Sequence, residues 1–138
     1  MIENDKRREK MKRSLLTFTL LAFVAISGCV APLVNVTDSA VTTGSERSAS
    51  IKELSEAVKR AGGSLGWRVQ RITPGHIVAT LFLRSQMAAV DITFNEDIYS
   101  IIYKNSSNLK YDGKEIHRDY NGWIKKLDDA INREFSLL

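Results

Sequence analysis

One cysteine, two histidines and two prolines among 138 residues exclude several chemistries at once. A lone Cys29 leaves no partner for an internal disulfide and no CxxC motif for zinc or thiol exchange. With His76 and His117 as the only histidines, neither HxxH nor HExxH spacing occurs, so no metal site is expected. Gly62, Gly63 and Gly66 lack the following lysine and the preceding strand of a phosphate-cradling loop. Long apolar runs are missing too. The longest, residues 15–26 (LLTFTLLAFVAI), would rise only ~18 Å as a helix against a hydrocarbon core of ~30 Å. Net charge is scarce beyond the first 28 residues. Those hold six Lys/Arg against three Asp/Glu, and the remainder holds 14 against 13. Such a balance gives no electrostatic footprint for nucleic acid, and none is expected as a partner. What is present is ordinary for one folded domain, with 43% apolar and 26% charged residues.

The first 29 residues have an ordered layout. A basic stretch from Lys6 to Arg13 precedes the apolar run, and Ser27-Gly28-Cys29 follows it. These are the charged, apolar and small-residue regions of a secretory signal peptide, covering residues 1–28. Positive charge stays on the cytoplasmic side while the apolar segment enters the bilayer. Met11 offers a second start, which would leave Glu3, Asp5 and Glu9 out of the basic region. Ile26-Ser27-Gly28-Cys29 resembles the lipobox of bacterial lipoproteins. The resemblance implies cleavage between Gly28 and Cys29, diacylglycerol on the Cys29 sulfur and a fatty acyl chain such as palmitate on its new amine. No other cofactor is expected. Several acyl chains hold firmly, because each buried CH₂ contributes ~0.8 kcal/mol. An uncleaved signal anchor is the alternative. Val30, rather than Asp, follows the cysteine. By the same resemblance this implies a lipid anchor in the outer membrane, facing the periplasm.

Residues 29–48 are rich in Val, Thr, Ser and Ala and show no sustained period, which predicts a flexible tether. A short strand around residues 34–36 is the one candidate element within it. Residues 49–138 predict a single α+β globular domain. Ser50-Ile51-Lys52-Glu53 is a capping box, and Ile51, Leu54, Val58 and Ala61 form one apolar face behind it. Gly62-Gly63 is expected to end that helix. Strands are predicted over residues 67–70, 77–84, 88–94 and 98–104, with Thr73-Pro74-Gly75-His76 as a type II turn and Asn95-Glu96-Asp97 as another tight turn. Connections this short make neighbours antiparallel. Tyr120, Ile124, Leu127, Ile131, Phe135 and Leu138 then make the apolar stripe of a final helix. The expected fold is therefore a four-stranded antiparallel meander with an N-terminal and a C-terminal helix on one face, in the order α-β-β-β-β-α.

Residues 99–123 (YSIIYKNSSNLKYDGKEIHRDYNGW) hold the densest group of chemically special side chains. Tyr99-Ser100-Ile101 with Tyr103, Ser106 through Asn108-Leu109 to Tyr111-Asp112-Gly113, and Ile116-His117 through Tyr120-Asn121 to Trp123-Ile124 resemble a family of small proteobacterial lipoproteins. The likeness covers roughly the second half of the chain, reaching weakly back to Gly66-Trp67 and Pro74-Gly75, and Gly122 departs from its pattern. It implies lipoprotein status and an α+β domain and brings no activity. Two readings of the residues stand side by side. In one, Asn105, Ser106, Ser107 and Asn108 bond local backbone while Tyr120 and Trp123 pack into the core. In the other, Tyr103, Asn108, Tyr111, His117, Asn121 and Trp123 form a shallow site for a glycan strand, a peptide or an envelope protein. The expected function is a binding or accessory module anchored in the envelope. The alternative is an assembly lipoprotein that docks on a membrane complex through the exposed sheet face, with Arg68, Gln70, Thr80, Asp91, Thr93 and Ser100 as contacts. Ser107, His117 and Asp112 supply the letters of a hydrolytic triad, but no nucleophile elbow or oxyanion hole accompanies them, so no catalytic residue is assigned.

Overall fold

The computed structural model describes residues 28–138. The expected signal peptide, with its apolar run and the lipobox-like Ile26 and Ser27, lies outside the described residues except for Gly28.

Helix α1 (Ile51–Ser64) begins as its sequence demands. The Ser50 hydroxyl accepts from the Glu53 amide at 3.3 Å while the Glu53 carboxylate accepts from the Ser50 amide at 2.9 Å. Its end falls later than Gly62-Gly63 predicts. Gly62 stays helical and buried, and a Cβ there would stand 2.7 Å from the Val69 methyl, so the absent side chain lets the next strand pack close. The turn out of the helix is made by Gly66, at φ +85°, while the Gly62 carbonyl accepts from the Leu65 and Trp67 amides.

The meander over β3 (Arg68–Thr73), β4 (His76–Leu83), β5 (Gln86–Phe94) and β6 (Ile98–Ser107) is present with its neighbours antiparallel. Gly75 has the positive φ, +79°, that the predicted turn requires. Two features correct the four-stranded expectation. A fifth strand, β2 (Val36–Ala40), pairs antiparallel with β6 and gives the order β2-β6-β5-β4-β3. A separate ribbon joins β1 (Val30–Pro32) to β7 (Glu115–His117). The element order is thus β-β-α-β-β-β-β-β-α.

Both added strands at the start of the chain come from the segment expected to be a flexible tether. Its lack of periodicity did not mean a lack of structure. An edge strand takes its hydrogen bonds from a partner, and here Leu33, Val36 and Val41 pack against the core while Ala49 is buried in it. The segment also closes on the last helix, where a Cβ on Gly44 would collide with the Ser136 carbonyl.

Helix α2 (Arg118–Ser136) buries five of the six residues of the predicted stripe, Tyr120, Ile124, Leu127, Ile131 and Phe135, joined by Ala130, while Leu138 lies beyond the helix end and is half-buried. These side chains meet Leu54, Ala57, Val58 and Ala61 of α1 and the inner row of the sheet, Ile77, Ala79, Val90, Ile92, Tyr99 and Ile101, in one core. The helices cover one face of the sheet. Arg60 and Glu134 tie them together at 2.7 Å.

Candidate functional site

The candidate residues between Tyr103 and Trp123 sit on β6, the loop after it, β7 and the first turns of α2. Tyr103 is half-buried on the inner face of β6. Its ring lies 4.3 Å from that of Tyr111 and 5.8 Å from that of Tyr120, edge-on to the latter, and its hydroxyl shares a 2.8 Å hydrogen bond with Ser106. The Tyr103 amide donates to the Asn35 side chain at 2.8 Å, so β6 and the β1–β2 connection are joined at this point.

The polar members are held by the fold itself. Asn108 adopts φ +55° in the loop, donates from its side chain to the Ser85 carbonyl at 2.7 Å and so clips the loop to the β4–β5 turn. His117 is the N-cap of α2, its Nδ1 accepting from the Asp119 amide at 3.3 Å. Asn121 bridges helix to strand: its Oδ1 accepts from the Val34 amide at 3.0 Å and its Nδ2 donates to the Pro32 carbonyl at 2.9 Å. Of these three, only Asn108 was expected to bond backbone; His117 and Asn121 do so as well. Tyr111 is the ring left on the surface. Trp123 belongs to a different feature, a groove of about 220 Å³ that it lines with Leu65, Trp67, Leu81, Leu83 and Lys126.

The hydrolytic letters are not brought together. Asp112 accepts from the Lys114 and Glu115 amides at 2.9 and 2.7 Å, which makes the turn and holds its carboxyl below the usual carboxylate range. His117 is turned to Asp119 instead, and Ser107 is exposed at the end of β6. Among the described residues no group of three or more His, Cys, Asp or Glu is placed to hold a metal ion.

A cluster that the sequence reading missed lies on the sheet's other face. His76 of β4 stands 2.7 Å from Asp91 of β5, and Lys104 of β6 reaches the second oxygen of the same carboxylate at 3.3 Å. Burial pushes the Asp91 carboxyl up, but the hydrogen bonds and charges of His76 and Lys104 outweigh it and hold it below its ordinary value. On the same face the Arg68 guanidinium lies 5.1 Å over the ring of Phe82. No local spacing announces either contact, since each joins residues on different strands. Near the β2 edge, Asp38 takes φ +49° at a bulge and its amide donates to the Ser100 hydroxyl at 2.9 Å.

Cys29 is exposed and immediately precedes β1. Its carbonyl accepts from the Arg118 amide at 3.1 Å, at the start of α2. No helix among the described residues is long and apolar enough to cross a membrane. No protein-family model matches the chain, and neither a curated protein nor a solved structure matches it at a significant level.

Proposed function

We propose that this chain is an envelope lipoprotein, anchored through acyl chains on Cys29, whose folded domain acts as a binding or accessory module. The observation that carries the reading is the tetrapeptide Ile26-Ser27-Gly28-Cys29 directly behind a basic stretch and an apolar run, with the chain's only cysteine at its end. The exposure of Cys29 is compatible with modification of its sulfur and its amine. The resemblance of residues 99–123 to small proteobacterial lipoproteins points the same way, and Val30 after the cysteine favours the outer membrane.

The assembly reading is supported by a separate observation. Both helices pack on one face of the five-stranded sheet, and no element among the described residues covers the other. That face presents Arg68 over Phe82 and the His76–Asp91–Lys104 cluster, groups that a protein partner of complementary charge would engage. The Tyr103–Trp123 neighbourhood offers fewer free polar groups, because Asn108, His117 and Asn121 are already bonded internally.

Metabolic labelling with an alkyne analogue of palmitate tests the anchor. The native chain takes label and sediments with membranes; Cys29→Ser does neither. Equal labelling of the two would refute lipidation. Photo-crosslinkers placed at Thr80 and at Tyr111 in intact cells then separate the two surfaces: an adduct only from Thr80 supports docking through the sheet, and one only from Tyr111 supports the tyrosine neighbourhood.

A further inference from the structure

The expected tether of about twenty residues would let a domain wander roughly 25 Å from its anchor. The fold removes that slack. Val30, the residue after Cys29, is already paired with His117, and the Cys29 carbonyl is itself bonded to the first amide of α2. Whatever membrane attachment precedes or modifies Cys29 is therefore joined rigidly to one end of the domain.

That end can be identified from the contacts. The His117 amide donates to the Leu109 carbonyl at 2.7 Å, and Asn108 reaches Ser85 in the β4–β5 turn. The Cys29 site, the loop after β6 and the β4–β5 turn thus lie together. The β5–β6 turn at Glu96 and the C-terminus of α2 lie at the other end, since α2 runs antiparallel to β6, with Tyr120 beside Tyr103 and Phe135 beside Tyr99. The nine residues of β5 separate the two turns by ~30 Å.

Exposed apolar side chains occur at both ends, Ile72, Ile98 and Leu137 at the far one, and those at the Cys29 end adjoin a groove. Phe82 is 57% exposed, Leu83 45% and Leu65 38%. Leu65 and Leu83 flank the groove whose floor includes Trp67 and Trp123, with Lys126 at its margin. The half-buried Trp123 indole and the exposed Lys126 beside exposed aliphatics are the composition that settles at a bilayer interface, the ring at headgroup level and the lysine reaching out to it, while Trp67 lies buried beneath them. Arg84, Lys110 and Arg118 add exposed cations, offset in part by Asp112 and Asp119.

We infer that the domain lies against the bilayer with this end down: Leu65, Leu83 and the Trp67–Trp123 groove contact lipid, and the β5–β6 turn points away. The occupant of the groove is the membrane to which Cys29 is attached. This orientation rests on the proposal of anchoring at Cys29 and adds to it a contact surface that acylation alone does not require.

The test uses the full chain, produced in bacteria and reconstituted into phosphatidylethanolamine–phosphatidylglycerol vesicles. Leu65→Cys, Leu83→Cys and Glu96→Cys each carry an environment-sensitive fluorophore, and brominated lipids serve as quenchers. Mass spectrometry of the peptide containing residue 29 reads acylation in the same samples. Quenching at residues 65 and 83 at least threefold stronger than at residue 96 supports the orientation. Acylated Cys29 with equal quenching at all three positions overturns the orientation and leaves the anchor standing. An unacylated Cys29 with the gradient retained overturns the lipid anchor and leaves the orientation standing.

Discussion

Tyr99 and Tyr120 are both buried in the core, yet only Tyr99 has a partner for its hydroxyl, the Asp128 carboxylate. The Tyr120 hydroxyl is buried without one among the described residues. Removing the oxygen should therefore act in opposite senses. Tyr99→Phe strands part of a carboxylate and is expected to lose about 1.5–3 kcal/mol, whereas Tyr120→Phe keeps its ring contacts and is expected to be neutral or stabilising by up to about 1 kcal/mol. Urea unfolding midpoints of the two variants check this. Both phenols also hold their protons more tightly in the fold. Burial, aided by Asp128, pushes Tyr99 up to about 12, and burial together with Tyr103 and Tyr111 raises Tyr120. The unfolded chain ionises near ~10, so it gives up these protons first as pH rises. Stability should hold below that pH and then fall by up to ~1.4 kcal/mol per pH unit for each tyrosine. Chemical denaturation at pH 9, 10 and 11 would show the decline; unchanged stability at pH 11 would contradict the burial of both phenols.

At the scale of elements, the β1–β7 ribbon depends on a small number of bonds from α2. Asn121 holds the chain on both sides of Leu33, through the Pro32 carbonyl and the Val34 amide. Asn121→Ala should cost about 1–2 kcal/mol, since both bonds are lost and neither backbone group gains a replacement within the fold. Hydrogen exchange locates the effect. Amides of residues 30–36 should exchange faster than in the native chain, while those of β4 and β5 in the sheet centre stay protected to the same degree. Uniform acceleration across the sheet would mean that the ribbon and the sheet open as one unit.

For the whole molecule, the segment ahead of α1 is part of the fold. Residues 30–48 supply the β2 edge of the sheet, bond the Tyr103 amide through Asn35 and meet the end of α2 at Gly44. A chain beginning at Ala49 should consequently lose thermal stability, by ~10 °C or more given that each 1 kcal/mol moves the midpoint of a small domain by ~4–8 °C. Calorimetry of the shortened and full domains makes the comparison. An unaltered midpoint would restore the flexible-tether reading of residues 29–48. The same ordering changes what an anchor at Cys29 would do, because a lipid joined directly to a strand orients the domain instead of merely retaining it.

The features legible in the residues are those with local causes. The capping box at Ser50 and Glu53, the Pro74-Gly75 turn and the apolar stripe of α2 each arise from side chains within a few positions of one another, and each is present in the fold. The four central strands were legible for the same reason, their alternation and turns being short-range signals. The lipobox pattern is likewise entirely local. What only tertiary structure decided is what depends on distant partners. Strand β2 exists because β6 offers it an edge, β1 because β7 lies beside it, and Gly62 has room only for a hydrogen because Val69 packs onto it. Asn108 and Asn121 find their hydrogen-bond partners Ser85, Pro32 and Val34 far along the chain, and strand register assembles the His76–Asp91–Lys104 cluster. Cys29, first noticed as the chain's only thiol, acquires its rigid attachment from the same cause: a backbone hydrogen bond to Arg118, 89 residues further along the chain.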